Sequence, residues 1–306
     1  MATPLSDALI SRGASERRDQ LAAVILFTCA TVSLVIGALV IVSLLGEAMT
    51  FLRDVDPSAL WSDGWFPRRG LFDVRTLLVG TSLVTAIAMT VAVPIGAGTA
   101  IYLSEFARPR TRHAIKPVIE TMAGVPSVVI GFFALSWISP EIVARLNDEA
   151  QMFNLAAAGI GVGILTVPLV ASVAEDALRA VPDEIRQASY ALGASKARTC
   201  VGVVIPAAVS GLVAAMILAV SRAIGETMVV LIAAGGAGGS LLSADPFSPG
   251  QTMTAAIASQ TSGTDRVAGS GLTFQSLFFV GLLLFGITLG LNLTADRFVR
   301  RVREQY

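Results

Sequence analysis

Long apolar runs separated by short charged connections set the pattern of this chain. Residues 21–45 and 76–103 carry no charged side chain, and each run exceeds the roughly 20 residues that a membrane-spanning helix needs. The pattern predicts about six spans, at 21–45, 76–103, 116–138, 155–173, 201–234 and 274–294. The fifth is too long for one straight helix, so its start, before Pro206, is expected in the interface. The first run is about twice the length of a signal-peptide core and is read as a retained helix. A stretch within residues 235–271 is rich in Gly, Ser and Thr and reads as loop, with a short interfacial helix expected at 253–260.

Composition agrees. Of 306 residues 54% are hydrophobic and 14% charged, well below the roughly 25% charge of a soluble domain. The fold class expected is an all-α integral membrane protein. Net charge is zero, so nothing draws the chain to nucleic acid. Of the 22 Lys and Arg residues, 15 fall on one side of the predicted topology, 6 on the other, and Arg222 lies within a span. The richer side holds Arg12, Arg17 and Arg18, the 108–116 connection, the 179–198 connection and the C-terminal arginines. It is read as cytoplasmic, with both termini inside. The organisation expected is a tail at 1–20, a first helix at 21–45, an external loop at 46–75, a core at 76–298 and a tail at 299–306.

Several chemistries have no motif here. G-x-x-x-x-G-K-[ST] and G-x-S-x-G are absent, and one histidine, His113, cannot make H-E-x-x-H. Cys29 and Cys200 fall in different environments, and no disulfide or zinc site is expected. No enzymatic activity and no cofactor are expected in this chain. Proline and glycine recur within the spans, among them Pro94, Gly96, Gly124, Pro126, Gly159, Gly163 and Pro168. Close helix packing and a moving gate are both open readings of them.

Arg222 and Glu226 stand out, because a charge at mid-membrane costs about 2.5–3.5 kcal/mol on insertion scales. Four residues is about one helical turn, so the pair is expected on one face. Facing the bundle interior, Arg222 offers a planar fork of donors to an oxyanion, and Glu226 softens its field. A structural ion pair is the competing reading. Ser127, after the break at Gly124 and Pro126, is a further donor candidate. Glu120 is a second charged candidate at the end of span three, either buried or interfacial, with Lys116 one turn away as its expected partner.

Between spans four and five, Ile185, Ala188, Ser189 and Leu192 share a helical face opposite Asp183, Glu184 and Arg186. Gly193 is placed to end this helix in a left-handed conformation, and a second short helix is expected from Ser195. The spacing Gln187-Ala188-Ser189, Gly193, then Val203-Val204-Ile205-Pro206 resembles the signature of ABC-importer permeases, E-A-A, three residues, Gly, nine residues, I-x-L-P. Gln187 replaces the signature Glu, and Glu184 is a nearby substitute.

The stretches "PIGAGTAIYLSEFARPR", "KPVIETMAGVPSVVIGFFAL", "EDALRAVPDEIRQASYALGAS" and "SRAIGETMVV" resemble the phosphate-specific branch of that family, PstC, from about residue 75 onward. The resemblance implies a type I importer permease fold. It implies that Glu184, Gln187, Ala188, Ser189, Gly193 and Pro206 serve coupling to a separate ATPase, where ATP and Mg would bind. It also implies a PstA-like permease, a PstB-like ATPase dimer and an external phosphate-binding protein as partners, in a prokaryotic plasma membrane. Import of another oxyanion or a phosphonate is the alternative within the class. A gradient-driven carrier using Arg222 and Glu226 is the alternative outside it, disfavoured by a coupling signature that such a carrier does not need. A membrane scaffold without transport is disfavoured by the buried charge pair.

Overall fold

The computed structural model describes residues 4–236, 239–261 and 271–303, with side chains described for 19–236, 239–261 and 271–297. The side chains of Arg12, Arg17, Arg18, Arg266, Arg300, Arg301 and Arg303, on which part of the charge count rests, lie outside this set.

The chain is built almost wholly of helices. α1 runs Pro4–Asp54 and α2 Val74–Phe106. Between them, β1 (Gly64–Phe66) and β2 (Leu71–Phe72) form a hairpin, with Trp65 opposite Phe72. Next come α3 (Pro109–Met122), α4 (Ser127–Leu146), α5 (Leu155–Arg179) and α6 (Asp183–Ala191). They are followed by α7 (Lys196–Ala207), α8 (Val209–Ile224) and α9 (Met228–Ala233). β3 (Ser240–Leu241), α10 (Met253–Thr261) and α11 (Gly271–Arg303) complete the order. Among the described residues five helices are long and apolar enough to cross a membrane, and α7 with α8, bent by 71°, makes a sixth candidate.

The differences from the sequence reading have physical causes. The first helix, expected to end at residue 45, continues to Asp54, because nothing between 46 and 54 breaks it and Phe51 packs beside Phe72 and Phe279. The third span begins at Ser127, not at Lys116. Proline at 126 removes a backbone donor and disfavours helix at the residue before it, so α3 is a separate helix, and Arg110, Arg112, Lys116 and Glu120 belong to it rather than to the apolar span. The fifth span is three pieces: α7, then α8, then α9 after a break at Gly225, Glu226 and Thr227. The helix at 253–260 exists, and it is packed inside the protein rather than lying free on its surface. Met253, Ala255 and Ala256 are buried, and it packs on α2, α9 and α11.

α2 and α5 form the most extensive helix pair, and glycine makes it possible. A Cβ on Gly163 would come 2.9 Å from the Ala88 carbonyl oxygen, and one on Gly96 would come 2.6 Å from Val170. At these two positions the glycines serve close backbone approach. Around this pair lies an apolar core containing Val84, Ala88, Ile138, Val162 and Val229. A second core, of Phe51, Trp65, Phe72, Leu77, Met253 and Val280, caps the hairpin end. There β3 pairs with β1, tying the two long connections together. Over residues 21–40, α1 exposes its side chains all round, which suits lipid, since hydrocarbon solvates leucine as well as a protein core does.

Candidate functional site

α8 ends at Ile224, and Gly225 caps it, its N–H donating to the Ser221 carbonyl at 3.2 Å. Arg222 and Glu226 therefore do not lie on one continuous helix. Arg222 occupies the last turn of α8, where a cation is favoured by the helix dipole, and Glu226 sits in the hinge before α9. The side chain of Glu226 is 6% exposed and that of Arg222 53%, with 3.9 Å between Nη2 and Oε2. This is an ion pair at its outer limit and too long for a hydrogen bond. The hinge backbone is fixed elsewhere: Thr254 on α10 donates its hydroxyl to the Glu226 carbonyl at 2.8 Å. Ser221 donates to Asn292 Oδ1 at 3.1 Å, tying α8 to α11. The chemistry available is a half-exposed guanidinium, loosely held by a buried carboxylate, at a break in a span.

Ser127 is the first residue of α4. Among the described residues no hydrogen bond or ion pair joins it to Arg222. Glu120 is exposed, and Lys116, expected to pair with it, turns to α5 instead. Lys116 Nζ lies 3.0 Å from Glu175 and 2.9 Å from Asp176. Glu175 is buried, so a cation relieves more of its desolvation cost than it would at the exposed Glu120; Asp176, 66% exposed, is reached because it adjoins Glu175. Burial alone would depress the Lys116 amine, but its bonds to Asp176 and Glu175 outweigh this and raise its pKa above the ordinary value.

At the charged end α6 and α7 form the predicted helix, glycine break and helix. Gly193 adopts φ +81°, and its N–H donates to the Tyr190 carbonyl at 2.9 Å. None of the residues of α6 is buried. Glu184, Gln187 and Ala188 are exposed, and the apolar face they flank is bare, with Leu192 90% exposed. Ser189 is half-buried, its hydroxyl 2.9 Å from that of Thr199. Pro206 lies in the final turn of α7, just before the 71° bend.

A buried ionic cluster beneath these helices was not anticipated from the sequence. Arg112 donates to Glu175 at 2.6 Å, and Arg186 on α6 donates to Glu105 on α2 at 3.0 Å. These partners are 63 and 81 residues apart, beyond any local spacing rule. The available signal was the concentration of charge at span ends, in "SEFARPR" and "EDALR". A cavity of about 690 Å³ opens beside the cluster, lined in part by Glu105, Arg112, Arg186, Tyr190 and Lys196.

Residues 92–304 match the family of binding-protein-dependent transport system inner membrane components. The chain belongs to this family. It is therefore an integral-membrane permease subunit of an ABC importer. Curated relatives agree. The phosphate transport system permease protein PstC of Mesorhizobium japonicum is 31% identical over 81% of this chain and 80% of its own length. The probable ABC transporter permease protein YqgH of Bacillus subtilis is 29% identical over 92% of this chain and 91% of its own. PstA 1 of Mycobacterium tuberculosis is 38% identical over a shorter stretch, 56% of this chain and 54% of its own. Among solved structures, an inward-facing form of the MetNI methionine ABC transporter matches with a TM-score of 0.53 and 18% identity. It covers 74% of this chain and 93% of that one. That likeness establishes the shared permease fold. The resemblance to PstC is thus carried by identity over about four-fifths of the chain as well as by the quoted motifs.

Proposed function

We propose that this permease conducts inorganic phosphate inward through a pathway on which Arg222 is the anion contact. The observation that carries the reading is the loose Arg222–Glu226 pair at the broken span. Phosphate is an oxyanion suited to a guanidinium fork, and a pair at 3.9 Å lets Arg222 exchange between Glu226 and a passing anion without trapping it. Conduction requires binding strong enough to enter and weak enough to leave. The similarity to PstC proteins supports phosphate as the anion.

In this reading the bare face of α6 docks on a PstB-like ATPase, two copies of which bind ATP and Mg. A PstA-like permease completes a heterodimer, and an external binding protein delivers phosphate at the hairpin end. The charged end and both termini are cytoplasmic, in the plasma membrane of a prokaryote. This chain contributes no covalent chemistry. Glu184, Gln187, Ala188, Ser189, Gly193 and Pro206 serve the docking and the turn that carries motion into α8. Ser127 is an additional donor at the mouth of α4.

The test is uptake of labelled phosphate by the reconstituted complex. Arg222→Ala is expected to abolish uptake while the complex still assembles, and Arg222→Lys is expected to recover only part of it, since an ammonium lacks the fork. Uptake that persists in Arg222→Ala makes the pair structural. Competition with sulfate, arsenate and phosphonates decides between phosphate and another oxyanion.

A further inference from the structure

Arg186 differs from Arg222 in every respect. An arginine carries five N–H donors, and Arg186 uses all five. Nη2 donates to Glu105 Oε1 at 3.0 Å and to the Leu178 carbonyl at 2.8 Å. Nη1 donates to the Val181 carbonyl at 2.5 Å and to Asp183 Oδ1 at 3.2 Å. Nε donates to Glu105 Oε2 at 3.5 Å. Its side chain is 12% exposed and that of Glu105 4%. Glu105 is itself oriented, receiving a bond from the Ser104 hydroxyl at 2.9 Å.

The position of Glu105 gives this contact its meaning. It lies in Tyr102–Phe106, a wide π-helical turn that ends α2, and α2 with α5 forms the most extensive helix pair of the bundle. Lys196, at the start of α7, reaches the same turn, its Nζ 5.5 Å from the centre of the Phe106 ring. Both arms of the α6–α7 hairpin therefore reach the same five residues of α2, the α7 arm being held besides by its buried Cys200 and Val204. α6 buries no residue of its own, so apolar burial does not hold it in place, and polar bonds must.

We propose that the Arg186–Glu105 pair is the strut that delivers displacement of α6 to the end of α2, making Arg186 a positioning residue for transport. This rests on the reading that an ATPase docks on α6. A bare apolar face moved by a partner transmits nothing unless its other side is fixed to a span. A saturated, buried guanidinium is the stiffest such link available, because each bond restricts the others and partial release leaves an uncompensated charge.

The experiment uses the full complex in proteoliposomes with phosphate-loaded binding protein. Uptake and ATP hydrolysis are measured in the same vesicles, and the amount of ATPase retained on purification is recorded. Glu105→Gln keeps the shape and removes the charge; Arg186→Lys keeps the charge and removes the fork. Each is expected to retain the ATPase and to hydrolyse ATP without binding protein near the wild-type rate. Phosphate moved per ATP should fall about tenfold, within the range of couplings between distant sites. The double variant should be no worse than the worse single one, as expected of residues acting through one contact. Uptake and hydrolysis falling in proportion, or losses that multiply in the double variant, would overturn the strut. If Glu105→Gln does not assemble, Glu105→Asp, which withdraws the charge by one methylene, is read by the same ratio. A wild-type chain that recruits no ATPase overturns the partner assignment and the strut together. A wild-type complex that hydrolyses ATP but moves no phosphate overturns the phosphate reading alone. The strut then stands if binding protein stimulates hydrolysis in the wild type but not in the variants, and falls if both respond.

Discussion

Two arginines, one on α6 and one on α8, show how environment assigns a role to the same side chain. Arg186 is saturated and buried, whereas Arg222 is half-exposed and touches one carboxylate at the limit of an ion pair. Glu226 is the complement, a buried acid with Arg222 3.9 Å away. Glu226→Gln is expected to leave Arg222 unopposed and so to tighten anion binding while slowing release, lowering maximal uptake and the half-saturating concentration together. A fall in maximal uptake with an unchanged half-saturating concentration would place Glu226 outside the path. Glu175 is a different case, fully buried between Arg112 and Lys116. Arg112→Ala leaves this carboxylate one cation and is expected to cost about 2 kcal/mol, read as a lower melting temperature in detergent. The Lys116 contribution has a defined pH sign. Its folded pKa is raised above 10.5, so the stability is fully present below that value and is lost only as pH rises through the folded pKa. Lys116→Ala should therefore lower stability by a constant amount from about pH 6 to 9, and the difference should close only in strong alkali.

At the scale of elements, glycine sets two geometries. Gly193 turns the chain between α6 and α7 at φ +81° with open space where a Cβ would stand. Gly193→Ala meets no clash, and its cost is backbone strain alone, about 1 kcal/mol. The expected result is a shifted coupling hairpin, seen as weaker ATPase retention with an unchanged melt of the spans. Gly163 is the opposite case. Its backbone is ordinary, but a Cβ meets the Ala88 carbonyl at 2.9 Å. Gly163→Val must push α2 and α5 apart, and the expected result is loss of the folded permease, measured as monodisperse protein after extraction.

Across the whole molecule the charged end and the hairpin end are built differently. The hairpin end is closed by an aromatic core around Trp65 and by β3 pairing with β1. The charged end combines an apolar cluster around Ala100, Leu178, Val204 and Ala215 with ion pairs, and leaves α6 bare. Apolar packing resists relative movement of close-packed surfaces, whereas a few directed polar bonds let a helix move as a unit. The bare end is thus where a partner would act. Purification of the tagged chain in mild detergent is expected to recover a P-loop ATPase and a second, related permease. Recovery of this chain alone, under conditions that keep other ABC complexes whole, would remove the basis for docking on α6.

The sequence by itself determined the class of the molecule, because hydrophobic run length is fixed by bilayer thickness and needs no tertiary information. It also determined the α6–α7 hairpin, since the 3.6-residue period of α6 and the left-handed turn at Gly193 are local properties. Helix ends were less legible. Gly124 and Pro126 were visible as a break, but hydropathy summed across them joined α3 to α4, and the one-turn spacing of Arg222 and Glu226 concealed the stop at Gly225. Only the tertiary structure decided which charges meet. Lys116 passed over Glu120, one turn away, for Glu175 and Asp176, and Arg186 reached Glu105 across 81 residues. Desolvation favours the buried partners: Glu175 and Glu105, buried by the packing of other helices, gain more from a cation than an exposed acid does, Asp176 is reached as the exposed neighbour of Glu175, and which carboxylate is buried is a property of the whole fold.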